Sequence, residues 1–161
     1  MNHDHLAPDL KKAFHLTLFI FSSVIANLFL LAVVAEIIRA LLKPFNGFVQ
    51  ARDPAVIRYV FYAAGIIIII LLRVLQRPLL GKPAGKPAQE ILRNLSRASI
   101  VTAVFCEGPG LLGFILFLLT GQHRDLIVLL IVSLFLSFMY FPRKGAWEAR
   151  LRENLPAGTE F

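Results

Sequence analysis

Cysteine is almost absent from this chain. Its 161 residues hold one, Cys106. There is therefore no internal disulfide, no cysteine-based metal cluster and no c-type haem attachment. Charge is scarce as well. Asp, Glu, Lys and Arg make up 17% of the residues and 57% are hydrophobic, a balance that excludes an ordinary soluble domain of this length. No basic stretch is interleaved with aromatics and no nucleic-acid motif occurs, so the net charge of +7 does not point to nucleic acid. No two histidines are spaced to hold a haem, and no nucleophile–base constellation is visible. Gly108, Gly110 and Gly113 spell GxGxxG, but the dinucleotide fingerprint needs a preceding strand that is missing here. The expectation is no metal, no cofactor and no catalytic residue.

What is present is long apolar runs. Four windows, at about 14–36, 55–75, 98–120 and 126–141, read as membrane-spanning helices. Twenty residues at about 1.5 Å each cover the roughly 30 Å hydrocarbon core. The second is short unless Arg58 and Arg73 snorkel outward, and the fourth must stand nearly upright. The first is too long for a signal-peptide core. The fold class expected is all-α, a polytopic integral membrane protein of four transmembrane helices, in one membrane domain over 1–161. The connection 76–97 contains PLLGKPAGKP, whose prolines and glycines interrupt a helix. Residues 88–96 then form a short amphipathic turn ahead of helix three. The tight loop 121–125 makes helices three and four a hairpin. In the tail 142–161, Trp147 and Leu151 are spaced i, i+4, as on an interfacial helix.

Twelve of the seventeen basic residues fall in the N-terminus, the 76–97 connection with its flanks, and the tail. These three regions share one side. The positive-inside rule makes that side cytoplasmic and places both termini there, in an inner membrane of the bacterial type. The charge excess then reads as topology and contact with anionic lipid.

One residue breaks the third window. Glu107 lies in SIVTAVFCEGPGLLGFILFLLT, near the centre of the bilayer, where an ionisable group is expensive and marks function. Gly108-Pro109-Gly110 follow it. Pro109 has no N–H for the carbonyl of Phe105. Ser99, Ala103, Cys106, Gly110 and Gly113 recur every four, three, four and three residues. That stripe of small side chains is the surface by which helices associate in lipid. It is expected to meet another helix, of this chain or of a neighbouring copy, and Ala63, Ala64 and Gly65 offer a match on helix two. Depth counting along alternating helices puts Asn27, Gly65, Glu107 and Ser133 each within about 3 Å of the bilayer midplane. Asn27 and Ser133 are thus the candidate hydrogen-bond partners of the Glu107 carboxyl. Glu36 and Arg39 are expected to pair at i, i+3.

The segment AVFCEGPGLLGFILFLL, from Ala103 to Leu119, resembles the ion-carrying helix of rotary ATPase proteolipids, the c subunits. There a carboxyl is followed by a short small-residue or proline step and a Gly-Leu-rich stretch, matched here by Glu107, Gly113 and the apolar run after it. The resemblance implies a proton- or cation-binding carboxyl at Glu107. Two functions follow as expectations. One is a small proteolipid-like subunit that binds a proton or cation at Glu107. The other is a non-catalytic structural or assembly subunit of a larger membrane complex, with Glu107 a hydrogen-bonded lock. Either one has the lipid bilayer and further membrane subunits, or copies of itself, as partners.

Overall fold

The computed structural model describes residues 6–49, 54–79, 88–145 and 149. Four helices follow in order: α1 (Leu6–Leu41), α2 (Pro54–Leu79), α3 (Ala88–Thr120) and α4 (His123–Met139). No strand occurs among the described residues. Three helices carry stretches long and apolar enough to cross a membrane: Leu10–Leu41, Ala55–Leu75 and Leu92–Thr120. With 17 residues, α4 covers about 25 Å at helical rise, less than the hydrocarbon core.

Two boundaries differ from the sequence expectation. The first helix begins at Leu6, about two turns early. The third is one continuous helix from Ala88, with no separate amphipathic turn over 88–96. Apolar burial explains the extension. Leu92, Leu95 and Ala98 are buried, as is Leu10 of α1, so the first turns of both helices have a packed face. The histidines His3 and His5, the PLLGKPAGKP segment beyond Leu79 and the Trp147–Leu151 pair lie outside the described residues.

α3 is the axis of the bundle. It packs against α1, α2 and α4, and α1 also meets α4. On α1 the buried residues Leu10, Thr17, Phe21, Val24, Leu28 and Ala35 fall seven, four, three, four and seven apart, the seam of a left-handed helix pair. On α4 they are Asp125, Leu126, Leu129, Ser133, Leu136 and Ser137. Val24 and Phe21 pack on Ala103, Ala35 and Leu126 on Phe117, and Leu72 and Leu136 on Cys106.

The small-residue stripe lies in this contact. Ala103 and Cys106 are fully buried, Gly110 and Gly113 are buried, and Ser99 at the end of the stripe is half-buried. Its glycines face α1 and α4, and Leu72 of α2 reaches Cys106. A Cβ on Gly110 would run into Leu28 and sit 3.2 Å from Ser133 Oγ; one on Gly113 would sit 2.8 Å from Leu129 Cβ. The matching small residues of α2 are not the partners. Ala63 is exposed, and the nearest side chain to Gly65 is Leu129 of α4. Gly108, beside the stripe, also meets α2, through Ile68.

Residues 42–49, which follow α1, cover the C-terminal end of α3. Phe48 N–H donates to the Leu118 carbonyl (2.8 Å) and Val49 N–H to that of Leu119 (3.1 Å), satisfying two carbonyls that the end of α3 leaves without helical donors. Gly47 (φ 85°) and Gly121 (φ 72°) meet backbone to backbone there. A left-handed φ and the absence of a Cβ are both required.

Leucine at Gly110 or Gly113 overfills this contact, at a cost of about 1–3 kcal/mol. Ile115→Leu, on the exposed face of α3, should stay within about 0.5 kcal/mol of the parent. Loss of helical circular dichroism during SDS titration measures both, and equal effects would remove the close-packing account.

Candidate functional site

Glu107 sits one residue past the fully buried Cys106, about 100° around the helix. That rotation takes its side chain out of the α4 contact and toward α1. The Asn27 side chain donates from Nδ2 to Glu107 Oε1, joining α1 to α3. Among the described residues the carboxyl has no other hydrogen-bond or ion-pair partner. Glu107 is half-buried, and residues a turn to either side of it, Val104 and Leu111, are 60% and 41% exposed. The carboxyl therefore stands at the edge of the open face of α3, beside the α1 seam.

Ser133 occupies the expected depth but serves another group. Its hydroxyl donates to the Cys106 carbonyl, and Ser137 Oγ donates to the Ser133 carbonyl at 2.9 Å. The structure thus joins Asn27 to Glu107 and leaves Ser133 on the α4 side of the helix. The acceptor lies one residue beyond the Phe105 carbonyl that Pro109 leaves without its helical donor. The buried Pro109 is accommodated within continuous helix.

A second polar cluster lies at the end of the bundle where α3 turns into α4, and the sequence alone did not reveal it. Asp125, in the first turn of α4, is 2% exposed. Its Oδ1 accepts from Tyr62 Oη at 3.0 Å and lies 3.1 Å from an Arg58 guanidinium nitrogen. Arg58 also stacks over the Tyr62 ring, 5.8 Å from its centroid. The i, i+4 spacing of Arg58 and Tyr62 aims both at one carboxylate, tying α2 to α4. Beside them His123 Nε2 is 3.0 Å from Glu36 Oε1, and Arg39 binds the second oxygen of Glu36 at 2.8 Å. The expected Glu36–Arg39 pair is present and is extended across helices by His123. The available signal for this cluster was the depth match of Arg58 with Asp125, each seven or eight residues before Gly65 or Ser133.

Glu107 and Asp125 are different kinds of carboxyl. Asp125 is enclosed and has a cationic partner. Glu107 is half open and faces an amide. Of the two, only Asp125 is held in an ion pair. Among the described residues no three His, Cys, Asp or Glu side chains are grouped to hold a metal ion.

No family model matches the chain, and neither a curated protein nor a solved structure matches it significantly. The resemblance to the rotary proteolipids rests on the residues from Ala103 to Leu119 and, loosely, on the hairpin from Ala63 to Thr120.

Replacing Arg58 by Ala strips the buried Asp125 of its cation, whereas Arg39→Ala breaks an exposed pair. The first should cost several times more stability, since exposed pairs contribute about 1 kcal/mol or less and breaking a buried one costs about 3–5 kcal/mol, reduced here because Arg58 is half exposed. Parallel SDS-unfolding curves of the two variants give the comparison, and equal losses would contradict the buried-pair account.

Proposed function

We propose that this protein is a small membrane subunit, proteolipid-like, that binds a proton or cation at Glu107. The observation that carries the reading is the hydrogen bond from Asn27 to a half-open carboxyl with no cationic partner among the described residues. Hydrocarbon penalises a bare carboxylate charge. A neutral acid at this position can accept from Asn27 through one oxygen and hold its proton on the other. Release of that proton needs a partner charge or water at the open face of α3. The binding groups present are one carboxyl and one amide, few for a metal cation and sufficient for a proton. Asn27 is the positioning partner; Ser133 supports α3 through the Cys106 carbonyl.

In this reading all four helices cross an inner membrane, with α4 upright in a locally thinned bilayer and both termini in the cytoplasm. Further copies or other membrane subunits would supply the charge that empties the site. A second reading has its own support. The Asn27–Glu107 bond already links α1 to α3, as in a structural or assembly subunit in which the carboxyl only locks two helices.

Labelling with a hydrophobic carbodiimide separates the two. It modifies protonated carboxyls within lipid. Glu107 should label in the reconstituted protein, Glu107→Gln should abolish labelling while keeping helicity, and added sodium should protect only if sodium is the ligand. Failure of Glu107 to label across the pH range would remove the binding reading and leave the lock.

A further inference from the structure

A groove of about 380 Å³ opens where the first turns of α1 and α3 run side by side. Its lining is unusual in having cations and no acid: Lys12, Arg93 and Arg97, with Ser96, stand around Ala13, Leu16 and Leu92. Lys12, Arg93 and Arg97 are all exposed, and none has an acidic partner among the described residues. Glu90 lies a turn before Arg93 but does not line the groove. Three like charges held together cost free energy unless an anion joins them.

Depth identifies the anion. The Asn27–Glu107 bond sets α1 and α3 in register. Counted from that level at the bilayer centre, Arg97 is about 15 Å away, Arg93 about 21 Å and Lys12 about 22 Å at helical rise. The hydrocarbon ends about 15 Å from the centre and the headgroup layer about 20–22 Å from it. Arg93 and Lys12 therefore stand at the level of lipid phosphates, and Arg97 starts at the hydrocarbon edge, from which its long side chain can rise to them. Leu16, 54% exposed, lies near the hydrocarbon edge, where an acyl chain begins.

We propose that this groove seats the headgroup of one anionic phospholipid. The phosphate is held by Lys12, Arg93 and Arg97 with the Ser96 hydroxyl beside it, and the acyl chains descend past Leu16. Charge complementarity selects an anionic headgroup, the apolar floor selects a lipid over a soluble phosphate, and the volume falls in the usual range of small-ligand sites. The site lies some 20 Å from Glu107 in depth and does not depend on the function proposed for that carboxyl.

Native mass spectrometry of the full chain, loaded with equal phosphatidylglycerol and phosphatidylcholine, tests the proposal. The parent should retain phosphatidylglycerol over phosphatidylcholine by at least about tenfold, given about fivefold per basic side chain at a membrane surface. The Lys12→Gln, Arg93→Gln, Arg97→Gln triple variant should bind the two equally. A Lys12→Arg, Arg93→Lys, Arg97→Lys variant should keep the preference, and so should Lys43→Gln with Arg124→Gln at the other end of the bundle. If the triple variant loses helicity, Arg93→Gln and Arg97→Gln singly should each lower the preference about fivefold. Full preference in the glutamine variants, or equal loss in the distant control, would overturn the site. Displacement of the lipid from the parent by inorganic phosphate would assign the groove to a soluble anion instead. Displacement by a polyglutamate peptide would assign it to an acidic chain.

Discussion

Close approach of α1 and α4 to one face of α3 is the constraint on which the rest of this structure depends. Lipid tails are as apolar as leucine, so helices in a bilayer gain nothing by hiding leucines from them. They gain by contact. Gly110 and Gly113 remove the side chains that would hold Leu28 and Leu129 away, and Ala103 and Cys106 continue the depression. Two helices then sit in adjoining grooves of a third. Asn27 reaches Glu107 because α1 is seated this way, and Ser133 reaches the Cys106 carbonyl because α4 is.

The polar groups are arranged by the same rule. Within the apolar stretches a polar side chain needs a partner supplied by the protein. Thr17 and Thr120 donate to carbonyls one turn back on their own helices, which asks nothing of the tertiary fold. Asn27, Ser133 and Tyr62 instead bond across helices, fixing register and rotation. The Arg58–Asp125 pair ties α2 to α4, and the His123–Glu36 contact ties α4 to α1. Against this background Glu107 is distinctive. It carries the one cross-helix carboxyl described here that has no cation beside it, and it stands at an open face.

Much of this was legible in the sequence because the bilayer imposes a ruler. Counting residues from the ends of apolar runs places Asn27 and Glu107 at one depth, and the bond between them is found there. Counting gives depth but not rotation about the helix axis. That is why Ser133 shared the depth and not the carboxyl. The four-and-three spacing of the small residues identified a packed face without its occupants. A depression is filled by large side chains, Leu28 and Leu129, and not by the alanines and glycine of α2. Asp125 was illegible for a different reason. An aspartate just after a tight loop is ordinarily solvated, and its burial depends on Arg58 and Tyr62, more than sixty residues earlier. The early start of α3 was hidden by the prolines before it, although Leu92 and Leu95 already carried its buried face.

The central claim is that Asn27 and Glu107 interact directly across α1 and α3. A double-mutant cycle of Asn27→Leu, Glu107→Leu and the pair, followed by SDS unfolding, isolates that term. Hydrogen bonds between helices in membranes contribute about 0.6 kcal/mol on average and up to about 1.7 kcal/mol. A coupling in the upper part of that range is predicted for a carboxyl at this depth. Additive effects of the two substitutions, with no coupling beyond error, would contradict the account.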